Sequence, residues 1–335
     1  MAKAKNWAAE WVRKLNAGAR DWVYDPAQVE AICATLPQPV FSLAGAKIMD
    51  ADEKIWNAED GSLFFECETR VLGHTMRAND QTTRGSCVGH GFSRNIQDLM
   101  VNDIAIRGEG EEIPAEFSRV DPFVSVEATY GFSRVEIGGG RIKGDGSVGA
   151  WAAKAVQKCG VLYRIVYEID GKKYDLRKRS AAREGEWGKR GVPDPLEPTA
   201  REHPVRTITL AGDGEQVWRA NLNWYPTPFC SSQGFTTTRR GGFCEPRGTW
   251  HHCMGSCGAG IAKGGRKFIL LRQSHGDSPT GGAMLVLESG REVTLPEGVF
   301  AVELDVIDSM VRRGKDTWVM SGHEGFQIRL PKWYM

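Results

Sequence analysis

Long apolar runs are missing from this 335-residue chain, and without about 18 consecutive apolar residues it has no transmembrane helix and no membrane partner is expected. Excess charge of either sign is missing too. Forty-three Lys+Arg against 42 Asp+Glu leave +1, so no global field draws the chain to nucleic acid or a lipid surface, and neither is expected as a partner. Cysteine is sparse: eight in this length exclude a disulfide scaffold and are read as reduced, mostly buried small hydrophobes. No repeat of 20 to 50 residues is present, which argues against solenoids and propellers. The N-terminus, MAKAKNWAAEWVRKLNAGARDW, lacks the apolar core and small-residue cleavage site of a secretion signal, so a cytoplasmic location is expected. What is there, 41% hydrophobic and 25% charged residues, is the composition of a globular chain long enough for about two lobes.

Hydrophobic spacing divides the chain into four parts. Residues 1–75 form an N-terminal extension, with Trp7, Trp11 and Leu15 making one apolar stripe of a helix over residues 5–20. That stripe suits packing on its own domain, or a docking or inhibitory role with a partner surface. Residues 76–170 are a helical half. Val88, Phe92, Ile96, Leu99 and Met100 share one face of a helix over 87–101 with Ser86 as its N-cap, and a second helix covers 149–159. Residues 171–205 are dense in mixed charge and proline and read as a surface insert or linker with a solvated face. Residues 206–335 alternate short extended runs with turns, interrupted by a helix near 302–313, and read as a β-rich half.

The run QTTRGSCVGH places Cys87 in the first turn of the 87–101 helix, where unpaired N–H groups and the positive dipole end favour a thiolate. Gln81 precedes it by six residues, within reach for a loop to aim its amide at an oxyanion beside the Cys87 N–H. Downstream, WHHCMGSCG supplies His251 and His252, which strand alternation sends to opposite faces, so one of them is available to Cys87. FILLRQSHG ends an apolar strand at Gln273, an amide able to hold an imidazole in one tautomer.

These segments, in this order, resemble papain-like cysteine peptidases over about residues 76–280. RGSC stands where that family has CGSC, with Val88 in place of the aromatic that follows. The resemblance implies an α+β, papain-like fold, with a central nucleophile helix in a helical half packed on a barrel-like β-rich half. It assigns Cys87 as nucleophile, His252 as the histidine, Gln273 at the place of the orienting asparagine and Gln81 as the oxyanion glutamine. It implies Gly146 and Ser147 as backbone contacts for a peptide, and Cys230 and Cys253 as the lining of a small pocket for modest apolar side chains. His275 stands where the family has a shielding tryptophan. Cys87 and His252 are 165 residues apart, against roughly 130–150 in the family, and the charged insert accounts for the excess. The expected activity is hydrolysis of peptide or isopeptide bonds in a protein or peptide substrate, from an accessible Cys87 thiol and with no cofactor. The C-terminal segment resembles divergent bacterial and phage-encoded homologues, which gives the alternative: a catalytically idle papain-fold module, structural or peptide-binding, including a virion component.

Other readings weigh less. GDGSVG matches GxGxxG, but GGGRIK rather than a buried apolar strand precedes it, so a dinucleotide site is disfavoured. His251, His252, Cys253 and Cys257 are split between two strand faces, which disfavours zinc, and no metal is expected. His74, His90, His203 and His323 carry no partner signal and read as surface or capped histidines.

Overall fold

The apolar stripe beginning at Val88 builds the helix on which the rest of the chain is assembled. The computed structural model describes residues 22–36, 61–107 and 123–323, so the helix expected over residues 5–20 lies outside the described residues. In chain order come α1 (Pro26–Cys33), β1 (Ser62–Leu63), α2 (Phe64–Leu72), α3 (Cys87–Arg107), α4 (Val126–Phe132), α5 (Gly149–Lys158), β2 (Val166–Ile169), β3 (Lys172–Asp175), α6 (Ala181–Arg190), α7 (Glu197–Arg201) and β4 (Val205–Leu210). The second half adds α8 (Gly214–Leu222), β5 (Pro228–Phe235), β6 (Pro246–Ala262), β7 (Arg266–Arg272), β8 (Met284–Val286), β9 (Glu292–Thr294), β10 (Val299–Glu303), α9 (Leu304–Gly314) and β11 (Trp318–His323). None of the described helices is long and apolar enough to cross a membrane.

Helix α3 starts at Cys87 as expected but continues six residues beyond the expected end, to Arg107. Val88, Phe92, Ile96 and Leu99 are all fully buried, which is what the stripe at i, i+4, i+8 and i+11 requires. The 17-residue strand β6 is the spine of a five-stranded antiparallel sheet, pairing with β5, β7 and β1, while β10 extends the sheet beyond β7. Alternation along β6 sorts its side chains between two cores: Cys253 and Cys257 join the one containing the α3 stripe, and Trp250 and Met254 join the one formed with α8 and α9. The sheet is thus held between α3 on one side and α8 with α9 on the other.

How closely α3 meets β6 is set by one glycine. A Cβ on Gly91 would lie 2.8 Å from Cys253 Sγ, inside any real contact distance, so the helix can sit this near the strand only with hydrogen at that position. Behind this contact a buried ionic cluster ties three elements together. Arg272 at the end of β7 reaches Glu68 of α2 at 2.7 Å and Asp98 of α3 at 3.4 Å, and Arg94 of α3 lies 3.6 Å from each carboxylate. Burial raises Asp98 to about 7 against the pull of Arg272 and Arg94, while for Glu68 the same two cations overcome burial and hold its pKa below the usual carboxylate range.

Three expectations are revised. The extension does not run to residue 75, because Ser62 and Leu63 pair with Ala259 and Gly258 on β6 and Glu68 belongs to the ionic cluster. The segment 171–205 is not a solvated linker throughout: it contains α6, whose Glu184 and Trp187 are buried, and Arg183 reaches the buried Glu127 of α4 at 2.9 Å. Residues 299–303, partly assigned to a late helix, form β10 against β7, and the helix begins at Leu304.

Alanine at a helix interior normally stabilises by about 1 kcal/mol relative to glycine. For Gly91→Ala the sign reverses, since overpacking against Cys253 costs roughly 1–3 kcal/mol. Thermal unfolding of the variant is expected at a lower temperature than that of the parent chain; an unchanged or higher midpoint would show that the contact is not tight.

Candidate active site

Cys87 opens α3 and has no exposed surface, so the expectation of an accessible thiol is corrected: in this structure it is enclosed. Its charge is felt by Cys230 on β5, which faces Cys253 on the adjacent strand β6 in register. Burial, then the hydrogen bond and charge shared with Cys253, then Asp316 and Cys87 push Cys230 well above the ordinary thiol range. These two form a wall beside α3, as the contact of Cys253 with Gly91 also shows.

His251 and His252 lie in different surroundings. The His251 ring meets Trp22 at 6.4 Å, whereas His252 is buried, stacked on His275 at 4.7 Å and 23°, with Trp250 edge-on at 6.4 Å. His275 therefore covers His252 with a flat ring. Gln273 is buried one residue beyond β7, and its backbone N–H donates to Gly298 O at 2.9 Å. No described residue donates to its side-chain Oε1.

Gln81 is brought to the same place by local pairing. Its N–H donates to Ser274 O at 2.8 Å, Ser274 Oγ donates to its Oε1 at 2.6 Å, and Gly276 N–H donates to Asn79 O at 2.9 Å. The loop before Cys87 and the turn after Gln273 thus form one short antiparallel unit. The Gln81 amide nitrogen donates to Arg84 O at 2.7 Å, which fixes its side chain at the turn leading into Cys87.

The next layer is built from residues that no motif singled out. His90, one turn after Cys87, is buried and lies 3.1 Å from Glu184 Oε1 on α6. Ser86, immediately before Cys87, donates its hydroxyl to the same oxygen at 3.2 Å. Arg179 donates to Glu184 Oε2 at 2.5 Å and to the carbonyl of Asp80, the residue before Gln81. Burial lowers the pKa of His90, so the ring is neutral at pH 7. Burial alone would raise Glu184, but its bonds with His90 and Arg179 outweigh that and hold it at about 2. The charged insert therefore buttresses both the first turn of α3 and the Gln81 loop. Only the charge pattern of residues 171–190 hinted at it, and that pattern does not name the partners.

Of the two residues expected to line a peptide groove, only Ser147 meets an extended segment. Val23 N–H donates to Ser147 O at 3.0 Å and Trp22 N–H to His251 O at 3.0 Å, with Trp22 and Ser147 paired as a parallel bridge. Gly146 is corrected: its N–H is engaged by Gly85 O at 2.8 Å and Tyr130 Oη at 3.0 Å, and its carbonyl accepts from Arg134 at 2.6 Å, so its backbone serves the fold. The Trp22 indole N–H donates at 2.8 Å to the buried Asp316, beside Cys230. Trp22 and Val23 thus bridge Ser147 and β6 at the position next to His252.

No protein-family model matches the chain, and no curated protein matches it. Among solved structures it is similar to xylellain, a cysteine protease from Xylella fastidiosa, at TM-score 0.50 and 14% identity over 85% of this chain and 93% of that one. Bromelain protease from Ananas comosus aligns at TM-score 0.43 and 13% identity, over 78% of this chain and 98% of its own. Procathepsin B from Trypanosoma congolense aligns at 0.43 and 11%, over 97% and 99%. The xylellain likeness shows the fold, a papain-like α+β architecture.

Glu184 provides a stability test. A carboxylate held at about 2, below its ordinary 4.5, stabilises the folded chain fully above pH 4.5 and loses that contribution as pH falls toward 2. Removing one partner of a buried ion pair costs about 3 kcal/mol. Glu184→Gln is expected to melt well below the parent at pH 7, with the difference shrinking between pH 4.5 and 2. A constant difference across that range would contradict the assignment.

Proposed function

We propose that the chain is a papain-like cysteine peptidase whose groove is occupied, in the described state, by its own N-terminal segment. The observation that carries this reading is the binding of residues 22–23: two consecutive backbone N–H groups donate to Ser147 O and His251 O, next to His252 and beside the wall under Cys87. A groove that holds one extended backbone by its own carbonyls can hold another of any sequence.

In this reading the Cys87 thiol, at the positive end of α3, gives its proton to His252 and attacks the carbonyl of a peptide or isopeptide bond. The Gln81 side chain and the Cys87 N–H stabilise the oxyanion, and removing one such donor costs roughly 100-fold or more in rate. His252 then protonates the leaving amine, and water releases the acyl group from sulfur. Gln273 Oε1, buried and free of described donors, is the acceptor assigned to the His252 N–H, while His275 keeps water from that side. Enclosure of Cys87 and occupation of the groove make residues 22–24 an inhibitory strap in place. A protein or peptide substrate is the expected partner, and the cytoplasm the expected location.

The enclosed Cys87 and the absence of a described bond to Gln273 Oε1 also suit the second reading, an idle papain-fold module that binds peptide without cutting it, as in a virion component. Val23→Pro in the full chain separates the two. Proline lacks the N–H that Ser147 O accepts, so the strap loosens. Casein turnover is expected to rise at least tenfold over the parent, and to vanish when Cys87→Ala is added. Loosening without any Cys87-dependent turnover would support the idle module.

A further inference from the structure

Two supports meet on Asp80. It pairs with His275 as an antiparallel bridge, and the bonds of that bridge are made by its neighbours: Gln81 N–H donates to Ser274 O at 2.8 Å and Gly276 N–H to Asn79 O at 2.9 Å. In such a pair the two opposed residues turn their own backbone groups outward, so the Asp80 carbonyl faces away from His275. Arg179 donates to that carbonyl and, through its other terminal nitrogen, to Glu184 Oε2 at 2.5 Å. Glu184 Oε1 in turn accepts from Ser86 at 3.2 Å and lies 3.1 Å from His90 Nε2. One guanidinium therefore joins the segment that carries Gln81 to the first turn of the helix that Cys87 opens.

The two ends of this link differ in firmness. Ser180, the N-cap of α6, donates its N–H to Glu127 Oε1 at 2.8 Å, and the buried Glu127 is paired with Arg164 at 3.0 Å. The backbone from which Arg179 projects is thus anchored in α4. The Gln81 loop instead carries strain: Thr82 has φ 57°, a left-handed conformation that β-branched side chains rarely adopt, and its N–H turns back on Asp80 Oδ1 at 2.8 Å. Strain of this kind persists only where neighbouring contacts hold it. Backbone bonds to residues 274–276 hold the loop on one side, and Arg179 holds it on the other.

We propose that Arg179, supplied by the charged insert, is a positioning residue that sets the Gln81 amide at its place beside the Cys87 N–H, with Glu184 as the counter-ion that fixes its guanidinium. This rests on the reading of Gln81 and the Cys87 N–H as oxyanion donors, and adds a residue that touches neither substrate nor reacting atoms. Such donors act when charge develops on the substrate oxygen, so a displaced Gln81 costs turnover and leaves substrate affinity nearly as it was. Glu184 has no exposed surface, so added salt screens the pair poorly and the effect does not depend on ionic strength.

The test uses the full chain opened by Val23→Pro, with fluorescein-labelled casein as substrate. Arg179→Met removes the charge and both hydrogen bonds at similar side-chain length. Arg183→Met takes a neighbouring cation from Glu127 without touching Asp80, and so controls for a merely structural loss. Arg179→Met is expected to lower kcat about tenfold or more with KM within about twofold of the opened parent, while Arg183→Met keeps kcat within about twofold even as it lowers Tm. Arg179→Lys keeps the charge beside Glu184 but lacks the fork that reaches both partners, so its kcat is expected to fall between, and it decides if Arg179→Met fails to fold. Hydrogen exchange at the Gln81 N–H reads the loop without any turnover: protection is expected to drop about tenfold or more in the Arg179 variants and to stay at the parent value in Arg183→Met. Equal loss of kcat in Arg179→Met and Arg183→Met, or unchanged exchange at Gln81, overturns the proposal. If the opened chain shows no Cys87-dependent turnover, the peptidase reading fails by itself, and exchange at Gln81 alone decides whether Arg179 holds the loop.

Discussion

Helix α3 touches strand β6 through a hydrogen atom on Gly91, and the rest of the site depends on how close that contact is. Cys87 lies one turn earlier on the same helix, and Cys253, the residue Gly91 meets, is the immediate neighbour of His252. The segments that carry Cys87 and His252 therefore share this one contact. The ionic cluster of Glu68, Arg94, Asp98 and Arg272 secures the far end of the same contact, because Arg272 immediately precedes Gln273. A buried cluster of this kind contributes little net stability compared with apolar packing. What it supplies here is register, since Arg272 finds both carboxylates only when β7 and α3 are correctly aligned.

Around this contact the chain adds charge with care. A carboxylate beside the start of a helix that carries a thiol opposes ionisation of that thiol, and Glu184 is such a carboxylate, bonded to Ser86 and close to His90. Arg179 offsets it by pairing with Glu184 directly, and the same guanidinium holds the carbonyl before Gln81. One ion pair supplied by the insert thus supports both the first turn of α3 and the Gln81 loop. In this way the extra length between Cys87 and His252 becomes part of the site's support.

Elements governed by local periodicity were legible in the residues: α3 from its stripe, β6 from its alternation, and the separation of His251 from His252 by the same rule. The Gln81 loop could be placed near Cys87 because only six residues intervene. What escaped depends on contacts remote in sequence. Glu184 is 94 residues from His90, and Asp316 is 294 from Trp22, and no spacing rule links either pair. His90 looked like a capped histidine because its helix position says nothing about the α6 carboxylate facing it. Gly146 looked like a peptide contact because its neighbours resemble a substrate strand, yet Arg134 and Tyr130, more than ten residues earlier, had already taken its polar groups. The accessibility of Cys87 was misjudged for a related reason: burial is a property of the whole assembled chain.

In the proposed function α3 and β6 create one activated thiol among several inert ones, and the strap controls access to it. Timed iodoacetamide labelling of the Val23→Pro chain at neutral pH, followed by peptide mapping of all eight cysteines, measures this directly. The account predicts that Cys87 is modified far ahead of Cys230, Cys253 and Cys257, and that in the parent chain its labelling is slow. Modification of Cys87 no faster than those three in the opened chain would contradict it.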